Sequence, residues 1–248
     1  MYAVKNGYDK VNNVEICNQT YSTWGACQKV TSGVKGAKFK SFPNMSEALD
    51  WLEDSQVTEK SAGNYNELCL HAYIDGSYNP KTGEYGYSAV LVKNNIIKEI
   101  IYGKDQDTNG SRQINGELRG AVATLTAAVK NSYSEVVIFH DYMGVACHAT
   151  GEWKLFTRQA REYNLVMKDL LSKVETNFVH VSAHTGDLYN ELADDLAKLG
   201  IDVQSTNAVS KLLRNGEKIV TDDRKVASIL SGMYEVSNIK LVALEGRC

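Results

Sequence analysis

No apolar run among the 248 residues approaches the roughly 20 residues that a bilayer-crossing helix needs. The opening stretch MYAVKNGYDK also lacks the apolar core of a secretory signal, so the expected location is the cytoplasm, with no membrane partner. Cysteine is sparse and poorly spaced for chemistry. Cys17, Cys27, Cys69, Cys147 and Cys248 form an odd set without a C-x-x-C pair, which argues against a disulfide framework and a zinc site and leaves reduced, mostly buried thiols. Net charge is small as well. At −3 the chain has no global basic excess, so any affinity for nucleic acid must come from local charge. With 43% hydrophobic residues it can still bury a real core and hold more than one domain.

One local absence is informative. From Gln28 to Ser46 there is no acidic residue, while Lys29, Lys35, Lys38 and Lys40 gather around Gly33, Gly36 and Phe39. Basic side chains interleaved with aromatic rings suit a phosphate backbone and its sugar or base faces, because ammonium groups displace counterions and rings stack. A solvated lysine face is the other reading of such a run. Upstream, Tyr2 to Lys5 predicts a short strand, and Ser22 or Thr23 can cap a helix from Trp24 to about Val30. A second helix is expected from Ser46, with Glu47 in its first turn and Ala48, Leu49, Trp51 and Leu52 supplying apolar surface. Residues 1–52 thus read as one small unit. Residues 53–67 turn polar without periodicity and read as a linker.

The segment beyond it starts with an apolar run, Leu68 to Ile74, too short for a typical helix and read as a buried strand with Asp75 at its end. A hairpin follows, with strands at Tyr85 to Val92 and Ile96 to Tyr102. Leu118, Ala121, Val122, Leu125, Ala128 and Val129 then repeat at helical spacing, with Glu117 in the first turn. A fourth strand, Val136 to Phe139, leads into His140 and Asp141. A helix from about Thr157 to Val174, a fifth strand from Phe178 to Ser182 and a last helix carrying Asp194 complete the pattern. Asp75, Glu117, Asp141 and Asp194 repel one another, so collecting them makes sense only if divalent cations neutralise the cluster. Two Mg2+ ions about 4 Å apart, or Mn2+ in their place, can activate a water and stabilise the leaving oxygen of a phosphodiester.

Two groups of motifs carry a family resemblance. YAVKNG, STWGAC, GVKGAKFKSF and SEALDWL resemble the N-terminal hybrid-binding domain of type 1 ribonucleases H, found also in caulimoviral viroplasmin proteins. That resemblance implicates Tyr2, Lys5, Trp24, Phe39 and Lys40 in gripping a hybrid. YIDGSYNP, NGELRGAV, FHDYMG and AHTGDLYNELADDLAK, in this order, resemble the catalytic domain of the same family. It implies an α/β, ribonuclease H-like fold: a five-stranded mixed sheet flanked by helices over residues 68–203, preceded by the small α/β hybrid-binding domain. It also implies Asp75, Glu117, Asp141 and Asp194 as metal ligands, with Asp75 bridging two ions, and His184 on a loop aiding proton transfer or product release.

The implied reaction is endonucleolytic cleavage of the RNA strand of RNA–DNA hybrids, leaving 5′-phosphate and 3′-hydroxyl ends, by a protein expected to be a monomer. Selectivity for RNA then needs groups that read a 2′-hydroxyl. The Gly76 backbone, Ser77, Gln113 and Asn115 are candidates, although Ser77 could equally close a turn. Trp153 has two readings, packing against the DNA strand or packing in the core. The competing functions are an inactive hybrid-binding protein, against which the presence of all four carboxylates weighs, and another nuclease of the same fold. Residues 204–248 lie beyond the resemblance. Helices at Val209 to Leu213 and Val226 to Met233 and a strand at Ile239 to Val242 are expected there, with no assigned role.

Overall fold

The computed structural model describes residues 1–9, 11, 14–34, 37–53, 68–181 and 186–243, and the chain divides into two compact units, Met1–Ser61 and Ala62–Cys248. Of the expected linker, Glu53 closes a helix and 54–67 lie outside the described residues.

The first unit is a three-stranded antiparallel sheet in the order β2-β1-β3, built from β1 (Tyr2–Asp9), β2 (Val14–Tyr21) and β3 (Lys38–Ser41). The expected short strand is therefore the start of an eight-residue hairpin arm, and much of the stretch from Tyr8 to Gln19 belongs to that hairpin. Alternation along β1 sends Val4 to one face, where it packs with Ile16, Cys27 and Val30 under α1 (Trp24–Thr31), and Ala3 to the other, against Ala48 and Leu52 of α2 (Met45–Glu53). Both helices start where a side chain supplies a cap. The Ala26 N–H donates to Thr23 Oγ1 at 3.3 Å. Asn44 and Glu47 bond reciprocally, with Asn44 Oδ1 accepting the Glu47 N–H at 2.9 Å and Asn44 Nδ2 donating to Glu47 Oε1 at 3.0 Å.

The second unit is built on one mixed sheet of seven strands: the five expected over residues 68–203 and two more from the C-terminal segment. Its central meander is β4 (Leu70–Asn79), β5 (Glu84–Lys93) and β6 (Ile96–Gln106), all antiparallel. Beside β4, in parallel, lie β7 (Glu135–His140) and β8 (Glu175–His180). Beyond β6, two short strands from the C-terminal segment, β9 (Ile219–Thr221) and β10 (Ile239–Leu241), extend the same sheet. β10 is the strand expected at Ile239 to Val242, whereas β9 escapes sequence reading because three residues are too few to show a period.

Helices cover both faces. α3 (Gln113–Lys130), α4 (Gly144–Thr150) and α5 (Arg158–Leu171) bury Leu70, Ala72, Ile74, Ala89 and Leu91 in one core. On the other face α6 (Leu188–Gly200), α7 (Ala208–Arg214) and α8 (Arg224–Met233) enclose Val90, Val92 and Ile97 together with Leu192, Leu196, Val209, Leu213, Ile219, Val226 and Leu230. The last five of these belong to the C-terminal segment, so it is core material of this unit.

The layers meet without side chains at two glycines. A Cβ on Gly116 of α3 would lie 2.2 Å from the Gly86 oxygen of β5, and a Cβ on Gly86 would lie 2.0 Å from the Ala197 oxygen of α6. Backbone thus packs directly on backbone on both sides of β5. Gly116→Ala should destabilise the protein by about 1–3 kcal/mol through overpacking. Gly232→Ala, within α8 with no neighbour inside 4 Å of the added methyl, should stabilise it by about 0.5–1 kcal/mol. Chemical denaturation of the two variants measures the pair, and a neutral Gly116→Ala would contradict the close approach.

Candidate active site

Asp75 does not end its strand. β4 runs on through Gly76, Ser77, Tyr78 and Asn79, paired with β5 as far as Asn79 opposite Glu84. What stops is the pairing on the other side, where the parallel ladder with β7 ends at Tyr73 opposite Phe139. Carrying that register two residues further sets Asp75 level with Asp141, just past the end of β7. The two aspartates are neighbours because one strand outlasts the other.

Glu117 reaches the same place from α3. That helix begins at Gln113, so Glu117 is in its second turn and not in the first. Its Oε1 accepts the Gly76 N–H at 3.1 Å, and the same N–H donates to Asp75 Oδ1 at 2.6 Å. Carboxylate oxygens of Asp75, Glu117 and Asp141 all lie within 4.8 Å of one another. Asp194 stands outside that set: it is buried on α6, and its Oδ2 accepts Lys198 Nζ at 2.5 Å.

Burial sets the electrostatics of this cluster. It pushes the Asp75 carboxyl up to about 7, helped by the charges of Asp141 and Asp194 and opposed by hydrogen bonds from Glu117 and Gly76. Burial also raises Glu117 well above the carboxylate range, and Asp75 and Asp141 add to the effect. Asp141 is held through its main chain, since its carbonyl oxygen lies 2.9 Å from His180 Nε2, which must donate because a carbonyl can only accept. His140, beside it in sequence, is buried and lowered to about 4 by desolvation and the nearby His180 ring. The cluster fits a hard divalent cation. All donors are carboxylate oxygens, and the buried Glu117 Oε2 has no hydrogen-bond partner among the described residues.

The other expected site residues are placed unevenly. Ser77 lies within β4 opposite Gly86, so it closes no turn, and Gln113 is exposed at the start of α3. The Gly76 N–H is already given to the two carboxylates. Asn115 is buried, and its amide is committed: Nδ2 donates to Asp107 and Asn109 at 3.0 Å each, and Oδ1 accepts from Asn109 and Gln159. It shapes the loop before α3 and has no free polar atom to offer a ribose. Trp153 packs edge-on against His148, 5.2 Å between centroids, and is 6% exposed, a placement that favours the core reading. His184 lies outside the described residues. His180 and Lys198 were not anticipated. Lys198 was open to sequence reading, as a lysine four residues after Asp194 on one helix face, whereas His180 depends on the β7–β8 register.

In the first unit the five expected contacts divide between two faces. Tyr2, Trp24 and Phe39 form a row on the α1 side, with ring centroids 5.5 and 5.6 Å apart, and Trp24 and Phe39 are 42% and 43% exposed. Lys5 and Lys40 lie on the α2 side, where Lys5 Nζ sits 4.4 Å from the Trp51 ring centroid and Lys40 Nζ 5.3 Å from that of Phe42. The reason is alternation: Lys40 pairs with Ala3, whereas Phe39 pairs with Val4.

Comparison with known proteins gives this geometry its context. The RNase H family model matches residues 67–202, more than half of the chain. The chain belongs to the RNase H family. Residues 1–52 match the model of the ribonuclease H1 N-terminal domain. A ribonuclease H of Francisella tularensis subsp. novicida is 29% identical over 141 residues, covering 52% of this chain and 89% of the relative. A ribonuclease H of Caldanaerobacter subterraneus subsp. tengcongensis is 27% identical over 140 residues, covering 54% and 91%. Among solved structures, RNase H1 of the halophilic archaeon Halobacterium salinarum is 24% identical with a TM-score of 0.47, over 54% of this chain and 97% of that one. The RNase H match holds all four acidic residues singled out in the sequence and stops short of Ser205.

Crowding of buried acids has a measurable sign. Asp75 binds its proton more tightly folded than unfolded, so between about pH 4 and pH 7 the folded state holds an extra proton and metal-free stability falls as the pH rises. Asp75→Asn should therefore stabilise the metal-free protein at pH 8, by roughly 1–4 kcal/mol, and change little at pH 4. Thermal melts in chelator at the two pH values measure this. Equal melting of variant and parent at pH 8 would remove the repulsion argument.

Proposed function

We infer that the chain hydrolyses the RNA strand of RNA–DNA hybrids, leaving 5′-phosphate and 3′-hydroxyl ends, with two divalent cations as cofactors. The observation that carries this reading is the convergence of Asp75, Glu117 and Asp141 within 4.8 Å in a chain of the RNase H family, with a buried oxygen of Glu117 left unsatisfied. Asp75, Glu117 and Asp141 would hold the cations, and Asp194 would join them once its carboxylate is released from Lys198. Bound there, Mg2+ or Mn2+ supplies the Lewis acidity for in-line displacement at a phosphodiester.

The protein's own groups position and desolvate. The Gly76 N–H orients Asp75 and Glu117 toward each other, and His180 steadies the main chain of Asp141. Protons held on Asp75 and Glu117 in the metal-free state leave when the cluster is loaded, so loading strengthens with rising pH. Ser77 and Gln113 remain the side chains available to read the 2′-hydroxyl, and the exposed row of Tyr2, Trp24 and Phe39 offers stacking surface for the hybrid. His184 takes the role of proton transfer or product release. The first unit holds the substrate, and the second cuts it at a raised local concentration.

Two experiments test this reading. Asp141→Asn should abolish cleavage of a labelled hybrid in Mg2+ while leaving hybrid affinity within a few-fold, because a metal contact is lost and phosphate contacts remain. Near-native turnover by that variant would sink the metal assignment. Trp24→Ala combined with Phe39→Ala should weaken binding of long hybrids by roughly 1–3 kcal/mol per lost stack, with unchanged maximal cleavage of a short hybrid. An equal loss on both lengths would mean that the first unit shapes the catalytic step itself.

A further inference from the structure

Two consecutive carboxylates sit buried on α6, and the site accounts for only one. Asp194 is 7% exposed and Asp195 is 2% exposed. Consecutive helical residues point about 100° apart, so Asp195 is turned away from Asp194. It is held by the C-terminal segment. Ser205 Oγ donates to Asp195 Oδ1 at 2.6 Å, and the Tyr234 hydroxyl donates to Asp195 Oδ2 at 2.6 Å. Hydrogen bonds from neutral hydroxyls to an ionised carboxylate are short and strong. Both donors come from beyond residue 202, where the RNase H match ends.

The brace is rooted at each end. Tyr234 caps the end of α8, its N–H donating to the Leu230 oxygen at 2.8 Å, and Leu230 and Val226 of that helix are buried in the core beneath α6. Asp222, just before α8, is paired with Lys98 of β6, and Thr221 Oγ1 donates to the Ile97 oxygen at 2.8 Å. Ser205 in turn accepts the Asn207 N–H at 3.1 Å as α7 begins. Burial, with Asp195 and Asp194 nearby, holds the Tyr234 phenol far above its usual range, so it remains a donor at every physiological pH.

We propose that the C-terminal segment is a positioning brace for the metal site, in which Tyr234 and Ser205 clamp Asp195, fix the rotation of α6 and so set where Asp194 is presented. A ligand must be held within about 0.5 Å and 10–20° of its working geometry, and rotation of α6 would carry Asp194 outside that range. Tyr234 is thus a positioning residue that touches neither cation nor substrate. The proposal rests on the metal-dependent reading above.

The test is calorimetric titration of the full chain with Mn2+, without nucleic acid. Tyr234→Phe keeps the ring and removes the donor; it should weaken Mn2+ binding by about 10-fold, the lower end of what outer-shell partners contribute. Ser205→Ala, which removes the other donor, should shift it in the same direction. Leu170→Ala opens the core on the other face of the sheet without touching the C-terminal segment, so it should lower the melting temperature and leave Mn2+ affinity unchanged. Parent-like Mn2+ affinity in both clamp variants overturns the brace. So does an equal loss of affinity in Leu170→Ala, which would make the effect one of general stability. A parent protein that binds no Mn2+ would overturn the metal-dependent reading first and the brace with it, whereas a binding parent with unaffected clamp variants overturns the brace alone.

Discussion

Like charges held close together out of water are the constraint around which the catalytic unit is arranged. Asp75, Glu117 and Asp141 converge within 4.8 Å, and burial drives two of them toward their protonated forms. A fold chosen only for stability would separate them. Here their positions follow from backbone geometry: β4 outlasts β7, α3 crosses so closely that Gly116 meets Gly86, and the Gly76 N–H donates to two of the acids. The strain is electrostatic and local, and the two cores on either side of the sheet hold it in place.

Much of this was legible in the sequence. The apolar runs at Leu68 to Ile74 and Val136 to Phe139, and the helical repeat from Leu118 to Val129, mark elements whose periodicity reflects one-sided or two-sided burial. Thr23 and Thr157 cap helices as short side chains before an apolar repeat do. What escaped reading depends on partners distant in sequence. The continuation of β4 through Gly76 and Ser77 resembles a turn in composition, and only pairing with Glu84 to Ser88 makes it a strand. Asn115 carries the right chemistry for a ribose contact, yet Asp107, Asn109 and Gln159 claim every polar atom of its amide.

The first unit teaches the same lesson about faces. The family resemblance joins Lys5, Trp24, Phe39 and Lys40 into one basic and aromatic set, but strand alternation separates rings from ammonium groups. The aromatic row on the α1 side is exposed enough to stack, whereas the two lysines lean over Trp51 and Phe42. A basic run in sequence is therefore a statement about composition, and its reach is set by register.

The core beneath α6 joins residues from Val90 to Leu230, and the hydroxyl of Thr221 bonds to Ile97, 124 positions away. Contacts of such long sequence separation form slowly, because a large loop must close before they stabilise anything. During synthesis the meander and α3 emerge with their own core partners, while the opposite face of the sheet waits for the last quarter of the chain. That interval leaves Val90, Val92 and Ile97 exposed on a nascent intermediate. Synthesis of Leu192 to Leu230, which cover that face, thus bears on the yield of folded enzyme, because an uncovered apolar face invites aggregation.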